Sequence, residues 1–210
     1  MSRIEIEHLV KQYKETVVLN DISMTLESGS IYGFVGRNGS GKTMLMKHII
    51  GFVYPTSGTV RVDGKIVGKE IAMPDNIGAI IENPGFLPEY SGFQNLKLLA
   101  GIRNRITDAD IRRTLESVGL DPNLKKHVGK YSLGMKQRLG LAQALMEDPD
   151  ILLLDEPMNG LDDQGVEEIR RLLIAYRKRG KLIVIASHSK EDVSLLCDVI
   201  YRFDHGKIIS

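Results

Sequence analysis

The stretch GRNGSGKT, Gly36 to Thr43, constrains this chain more than any other. It fits G-x-x-x-x-G-K-[ST], and its flanks give the pattern meaning. "SIYGFVG" before it is a nearly continuous apolar run, as for a strand buried on both faces. "MLMKHIIG" after it has helical spacing. A chain that turns from buried strand to helix across three glycines points successive backbone N–H groups at one spot, and the helix N-terminus adds positive potential there. Gly36, Gly39 and Gly41 are expected to supply the curl, and Arg37, Asn38, Ser40 and Met44 to complete the cradle. Lys42 then neutralises β/γ-phosphate charge, and the Thr43 hydroxyl is placed to ligate Mg²⁺. No G-x-G-x-x-G runs through these glycines, so the spacing points to a nucleoside triphosphate and not to a dinucleotide.

Two further runs repeat the buried-strand pattern, "DILLLDEP" and "KLIVIASH". Three such strands, each ending in polar residues, predict a mainly parallel α/β sheet with a site at the strands' C-terminal ends. Asp155 and Glu156 arrive at one of those ends. An aspartate there holds Mg²⁺ through water, and the adjacent glutamate orients and polarises the attacking water. Elsewhere the first third reads as β: Ile4 and Ile6 alternate with charges, and "GTVRVDGKIV" is a hairpin turning at Asp63-Gly64. "TDADIRRTLESVGL" is a helix capped by Thr107 and stopped at Gly119, with Ile111, Leu115 and Val118 on one face. "DDQGVEEIRRLLIAYRKRG" is another, with Val166, Ile169, Leu172, Leu173 and Tyr176 at helical spacing, acids early and bases late. One domain is expected: an α/β core with a β subdomain over 1–83 and 146–210, and a helical subdomain inserted over 84–145.

Composition excludes several classes. Lys and Arg number 28 against 27 Asp and Glu, a net charge of +1, so no bulk attraction to nucleic acid is expected. Cys197 is the lone cysteine, in the apolar context "VSLLCDVI", which suits core packing and a reducing compartment. "MSRIEIEHLV" has no apolar leader, and "ILLL" and "LIVIA" fall far short of the roughly 20 residues that span a bilayer. A cytoplasmic location is expected.

The ordered set of phosphate loop, "YSLGMKQRLGLAQAL", "LLLDEP", "NGLD" and "ASHS" resembles the ATP-binding subunit of an ABC transporter over essentially the whole chain. The resemblance implies a phosphate-loop ATPase core, ATP and Mg²⁺, a second such subunit with ATP sandwiched between the two, and an integral-membrane permease that seats the pair on the inner face of the membrane. It implies that Tyr13 stacks on adenine, Asp155 serves the metal, Glu156 is the catalytic base, Asn159 to Asp162 couple the two sites, and His188 contacts the γ-phosphate. Ser132 and Gly134 are what remains of the family's L-S-G-G-Q phosphate clamp, with Tyr131, Leu133 and Met135 replacing its other residues. Ser132 is at once expected to cap the helix that follows.

Glu82 stands where the family has a glutamine near Mg²⁺ and the docking permease, and a carboxylate there still suits the metal. "IGAIIENPGF" with "YSLGMKQRLGLA" resembles the bacitracin- and lantibiotic-resistance branch of exporters, which implies antimicrobial peptides or lipid-like molecules as cargo. Phe86, Leu87, Tyr90 and Phe93 form either a seat for the permease or the helical subdomain's own core. Relatives often continue past "FDHGKIIS", so a C-terminal regulatory segment is expected to be absent. The competing function is a non-transport ABC ATPase acting on ribosomes or DNA. Such relatives usually carry tandem nucleotide domains or long coiled coils and basic surfaces, against one phosphate loop, no heptad run and net +1 here.

Overall fold

The computed structural model describes residues 1–210 except Asn83, Ser189 and Ser210. The last serine of "ASHS" and the asparagine of "IENPGF" therefore lie outside the described residues.

Two sheets share one face of the core. β1 (Arg3–Tyr13) and β2 (Thr16–Glu27) form a long antiparallel hairpin, extended by β4 (Ser57–Val62) and β5 (Lys65–Ile66) in the order β2-β1-β4-β5. The Asp63-Gly64 turn joins β4 and β5 with φ of 50° and 79°, a pair that suits a two-residue hairpin. The second sheet has six strands in the order β10-β9-β3-β8-β7-β6. Its members are β3 (Ile31–Val35), β6 (Ile77–Ile80), β7 (Ile151–Asp155), β8 (Leu182–Ala186), β9 (Val199–Asp204) and β10 (Lys207–Ile208). β9, β3, β8, β7 and β6 run parallel, and β10 turns back antiparallel.

The apolar runs are continuous because both faces of these strands are covered. Along β7, Leu152 and Leu154 point into one apolar cluster while Ile151 and Leu153 point into the other. β8 divides the same way, Ile183 and Ile185 against Leu182, Val184 and Ala186. This is the period-2 pleat applied to a strand with no solvent face. One face packs on α1 (Lys42–Ile49), through Leu45, Met46 and Ile49, and on the four-stranded sheet. The other packs on α2 (Gly92–Arg103), α3 (Asp108–Ser117), α4 (Leu133–Leu145) and α5 (Asp163–Lys178), with α6 (Lys190–Leu196) closing the edge through Leu196. Cys197 fits here as well: a Cβ at Gly33 would meet its Sγ at 2.8 Å. Burial pushes this thiol up to about 12, which suits packing and not reactivity.

Helix ends follow local chemistry. Thr107 accepts from the Asp110 N–H while the Asp110 carboxylate accepts from the Thr107 N–H, a reciprocal capping box. Val118 ends that helix and Gly119 follows at φ 76°. Asp162, the last residue of "NGLD", accepts from the Gly165 N–H at 2.9 Å and caps α5. Of the four apolar residues after Glu82, Phe86 and Phe93 pack against the core, whereas Leu87 and Tyr90 are exposed. No helix among the described residues is long and apolar enough to cross a membrane.

Candidate nucleotide site

The segments that follow β3, β6 and β7 meet at a cleft of about 450 Å³. It is lined by Asn38 to Met44 from the phosphate loop and α1, by Asp155 and Glu156 after β7, and by Val18, Lys47, Glu82, Gln137 and Asn159. Gly39 and Gly41 carry φ of 78° and 111°, which side chains resist, so the curl needs glycine there. Gly36 serves differently from the expected curl. Its φ is not positive; a Cβ would strike the Phe203 carbonyl at 2.4 Å and Ser40 Oγ at 2.6 Å. Close approach of β9 excludes a side chain at that position.

Lys42 points back into its own loop. Its ammonium donates to the carbonyls of Gly36 at 2.7 Å and Arg37 at 3.1 Å. Burial lowers its pKa, and the nearby Asp155 and Glu156 charges oppose that shift. An ammonium held by weak neutral acceptors is ready to exchange them for phosphate oxygens. Ser40 is 4% exposed, and its hydroxyl has no hydrogen-bond partner among the described residues. A loop with an orphaned buried hydroxyl and an underpaid ammonium fits an anion of phosphate type.

Thr43 Oγ1 donates to Asp155 Oδ2 at 2.7 Å. Burial and the nearby Glu156 and Glu82 charges raise the Asp155 pKa, against the Thr43 hydrogen bond and the Lys42 charge, which lower it. A half-buried carboxylate among carboxylates gains from a further cation beside it. Among the described residues no group of three or more His, Cys, Asp or Glu is placed to hold a metal unaided. Thr43 and Asp155 are hard oxygen donors, and they fit Mg²⁺, which keeps water and takes substrate phosphates as its remaining ligands.

Glu156 stands beside them with φ of 49°, in the left-handed region. Its Oε1 accepts from His188 Nδ1 at 2.7 Å and from the His188 backbone N–H at 3.1 Å. Ser187 Oγ lies 3.4 Å from its other oxygen. The motif histidine and the motif glutamate are thus directly bonded, although 32 residues separate them. Glu82 also has positive φ, 60°, and its Oε1 accepts from the Lys47 ammonium at 2.6 Å. It lines the cleft as a paired acid; Lys47, on α1, is its counter-ion.

Tyr13, Ser132 and Gly134 do not line this cleft. Tyr13 is 46% exposed at the end of β1, opposite Thr16, with the Lys11 ammonium 4.6 Å from its ring centre. It does not pack in the β layer. Val18 of the same hairpin lines the cleft, and its carbonyl approaches Gly41, so the hairpin end abuts the phosphate loop. Ser132 caps α4 as expected, accepting from the Met135 N–H at 3.2 Å. Leu139, Ala142 and Leu145 bury that helix's inner face, with Met135 partly covered. Gly134 has an additional duty: a Cβ there would meet the Gly160 carbonyl at 2.7 Å. The first turn of α4 is therefore packed on the "NGLD" loop of its own chain.

Gln137 and Lys47 went unread in the sequence. Each looks like a polar residue on a solvated helix face, and no local pattern marks their partners. Gln137 Nε2 donates to the carbonyls of Glu156 at 3.1 Å and Pro157 at 3.0 Å.

The ABC transporter family model matches residues 19–159. The ABC transporter ATP-binding protein YybJ of Bacillus subtilis (strain 168) is 47% identical over 205 residues, 98% of this chain and 94% of that protein. The bacitracin transport ATP-binding protein BcrA of Enterococcus faecalis is 43% identical over 208 residues, 98% of this chain and 68% of that protein. The lantibiotic transport ATP-binding protein SrtF of Streptococcus pyogenes is 36% identical over 206 residues, 98% of this chain and 89% of that protein. Among solved structures, the ATP-binding subunit of an ABC transporter matches with a TM-score of 0.88 at 25% identity, over 99% of this chain and 88% of that one. A dimeric ATP-binding cassette in a post-hydrolysis state, bound to ADP and phosphate, has the same fold, with a TM-score of 0.89 at 21% identity over 99% and 97%. This chain belongs to the ABC transporter family as an ATP-binding subunit, an ATPase similar to those of bacitracin and lantibiotic transport.

Proposed function

We propose that this chain is the ATP-hydrolysing motor of an exporter that removes antimicrobial peptides or lipid-like molecules through a separate membrane permease. The carrying observation is the pair of contacts at the cleft, Thr43 to Asp155 at 2.7 Å and His188 to Glu156 at 2.7 Å. They set a metal-binding pair beside a base-and-orienter pair at the mouth of a phosphate loop, which is the layout of phosphoryl transfer to water.

In this reading the loop N–H groups of Gly36 to Thr43 cradle the phosphates, and Lys42 leaves the Gly36 and Arg37 carbonyls to pair with them. Arg37, Asn38, Ser40 and Met44 shape the rest of the cradle, and the exposed Tyr13 ring stacks on adenine. Thr43 and Asp155 would hold Mg²⁺, and Glu82, which lines the same cleft, would join them on releasing Lys47. Bound there, the metal neutralises charge on the phosphates and orients them. Glu156 accepts the proton of the attacking water, and His188 holds the Glu156 carboxylate until it turns to the γ-phosphate. Ser132 and Gly134, outside their own cleft, serve the ATP of a second subunit, so that two copies or two relatives sandwich two nucleotides. Closure on ATP and release after hydrolysis would drive the permease. The exposed Leu87 and Tyr90, just after Glu82, are the proposed apolar seat for its cytoplasmic helix, and docking there would hold the subunit at the inner membrane face.

The names of the bacitracin and lantibiotic relatives support this cargo class. The test is genetic. Loss of this chain should sensitise the producing cell to bacitracin or a lantibiotic, and only the wild-type chain, not Glu156→Gln, should restore resistance. Unchanged sensitivity to both peptides would refute the cargo.

A further inference from the structure

Glu156 holds a backbone conformation that L side chains disfavour, with φ at 49°. Such a residue stays in place only where its surroundings over-determine it. Its N–H donates to the Ala186 carbonyl at 2.8 Å, and its carbonyl accepts from the Asn159 N–H at 3.1 Å. His188 and Ser187 hold its carboxylate, and a further hold on the backbone comes from α4. Gln137, half-buried on α4, spends both hydrogens of its amide on the carbonyls of Glu156 and Pro157. Pro157 has no N–H to offer a bond of its own, so the Gln137 amide adds to the single bond that Asn159 gives the Glu156 carbonyl from within the turn.

We propose that Gln137 is a positioning residue for ATP hydrolysis, its amide fixing the left-handed turn that aims the Glu156 carboxylate. This role rests on Glu156 being the base. Gln137 stands one turn beyond Ser132 and Gly134 on α4, so any shift of that helix pulls directly on the Glu156 carbonyl. The turn proposed to face a second subunit's nucleotide is thereby bolted to the base of its own cleft.

Gln137→Leu, in the full chain, keeps the side chain's bulk and removes both donors; Gln137→Met is the softer equivalent if the leucine variant folds poorly. With either, kcat should fall about ten- to a hundredfold, the cost of misplacing a reacting group by about 1 Å. KM and the affinity for a fluorescent ATP analogue should stay within about twofold, because Gln137, although it lines the cleft, gives its amide hydrogens to the Glu156 and Pro157 carbonyls. Amide hydrogen exchange over residues 155–161 should rise in the nucleotide-free variant. A wild-type kcat, or a raised KM at unchanged kcat, would overturn the proposal, as would unchanged exchange in that segment. Glu156→Gln is measured alongside. Turnover retained there removes the base and this role together, whereas turnover lost there but kept in Gln137→Leu removes the role of Gln137 alone.

Discussion

The phosphate loop and the first turn of α4 are both helix N-termini suited to an anion, yet they sit in the fold in opposite ways. The phosphate loop is enclosed by its own chain: Lys42 is buried on loop carbonyls, Thr43 meets Asp155, and Glu156 meets His188. The α4 turn faces outward, with Ser132 and Leu133 exposed and the Leu133 side chain and Gly134 backbone resting on Gly160. One lines the cleft of its own chain; the other does not. The difference is what the proposed sandwich requires: each chain would bring an enclosed phosphate loop to one nucleotide and an outward α4 turn to the other.

Removing the Lys42 ammonium tests the enclosed half and should have the largest effect. Lys42→Met should lose ATP affinity and cut turnover by about a hundredfold or more, as for other lost electrostatic clamps. Its nucleotide-free melting temperature should hold or rise, because burial already disfavours the charged lysine. A fall of melting temperature alongside intact ATP binding would break the contrast between the halves.

The outward half is sharpened by Ser132→Ala. Losing this cap costs about 1 kcal/mol, or ~2–4 °C for a chain of this size. ATP turnover should fall further, by about tenfold or more, with ATP affinity of the isolated chain kept. Equal turnover with a lowered melting temperature would reduce Ser132 to a cap.

The smallest effect concerns the scaffold under the enclosed half. His48 is buried on α1, its Nδ1–H donating to the Met44 carbonyl at 2.7 Å. Burial lowers its pKa below the usual histidine value. The unfolded chain therefore binds a proton at His48 that the folded chain refuses, and stability falls as pH drops below about 6.5 toward the lowered folded value. His48→Met should flatten that acid limb in melting scans between pH 7 and pH 5 while leaving the alkaline side unchanged.

Much of this was legible in the residues themselves. Leu152 to Leu154 and Ile183 to Ile185 read as doubly buried strands because parallel sheets remove the polar face, and Thr107 and Ser132 read as caps because their hydroxyl chemistry is local. The phosphate loop was legible for the same reason: its glycines, lysine and threonine act within a few bonds of one another. What escaped depends on distance. Gln137 meets Glu156 and Pro157, and Lys47 meets Glu82, only after α4 and α1 have packed onto the folded sheets. Gly36 was legible as a glycine but not in its reason, since the Phe203 carbonyl that excludes a side chain comes from the far end of the chain.

The division into an enclosed half and an outward half is tested most directly by the mass of Glu156→Gln with ATP and Mg²⁺. Without its base the chain should bind ATP, fail to turn it over, and elute on size exclusion with light scattering as a stable dimer, reverting to monomer when Lys42→Met or Ser132→Ala is added. A variant that binds ATP and Mg²⁺ yet stays monomeric at every concentration would contradict a sandwich of two copies of this chain.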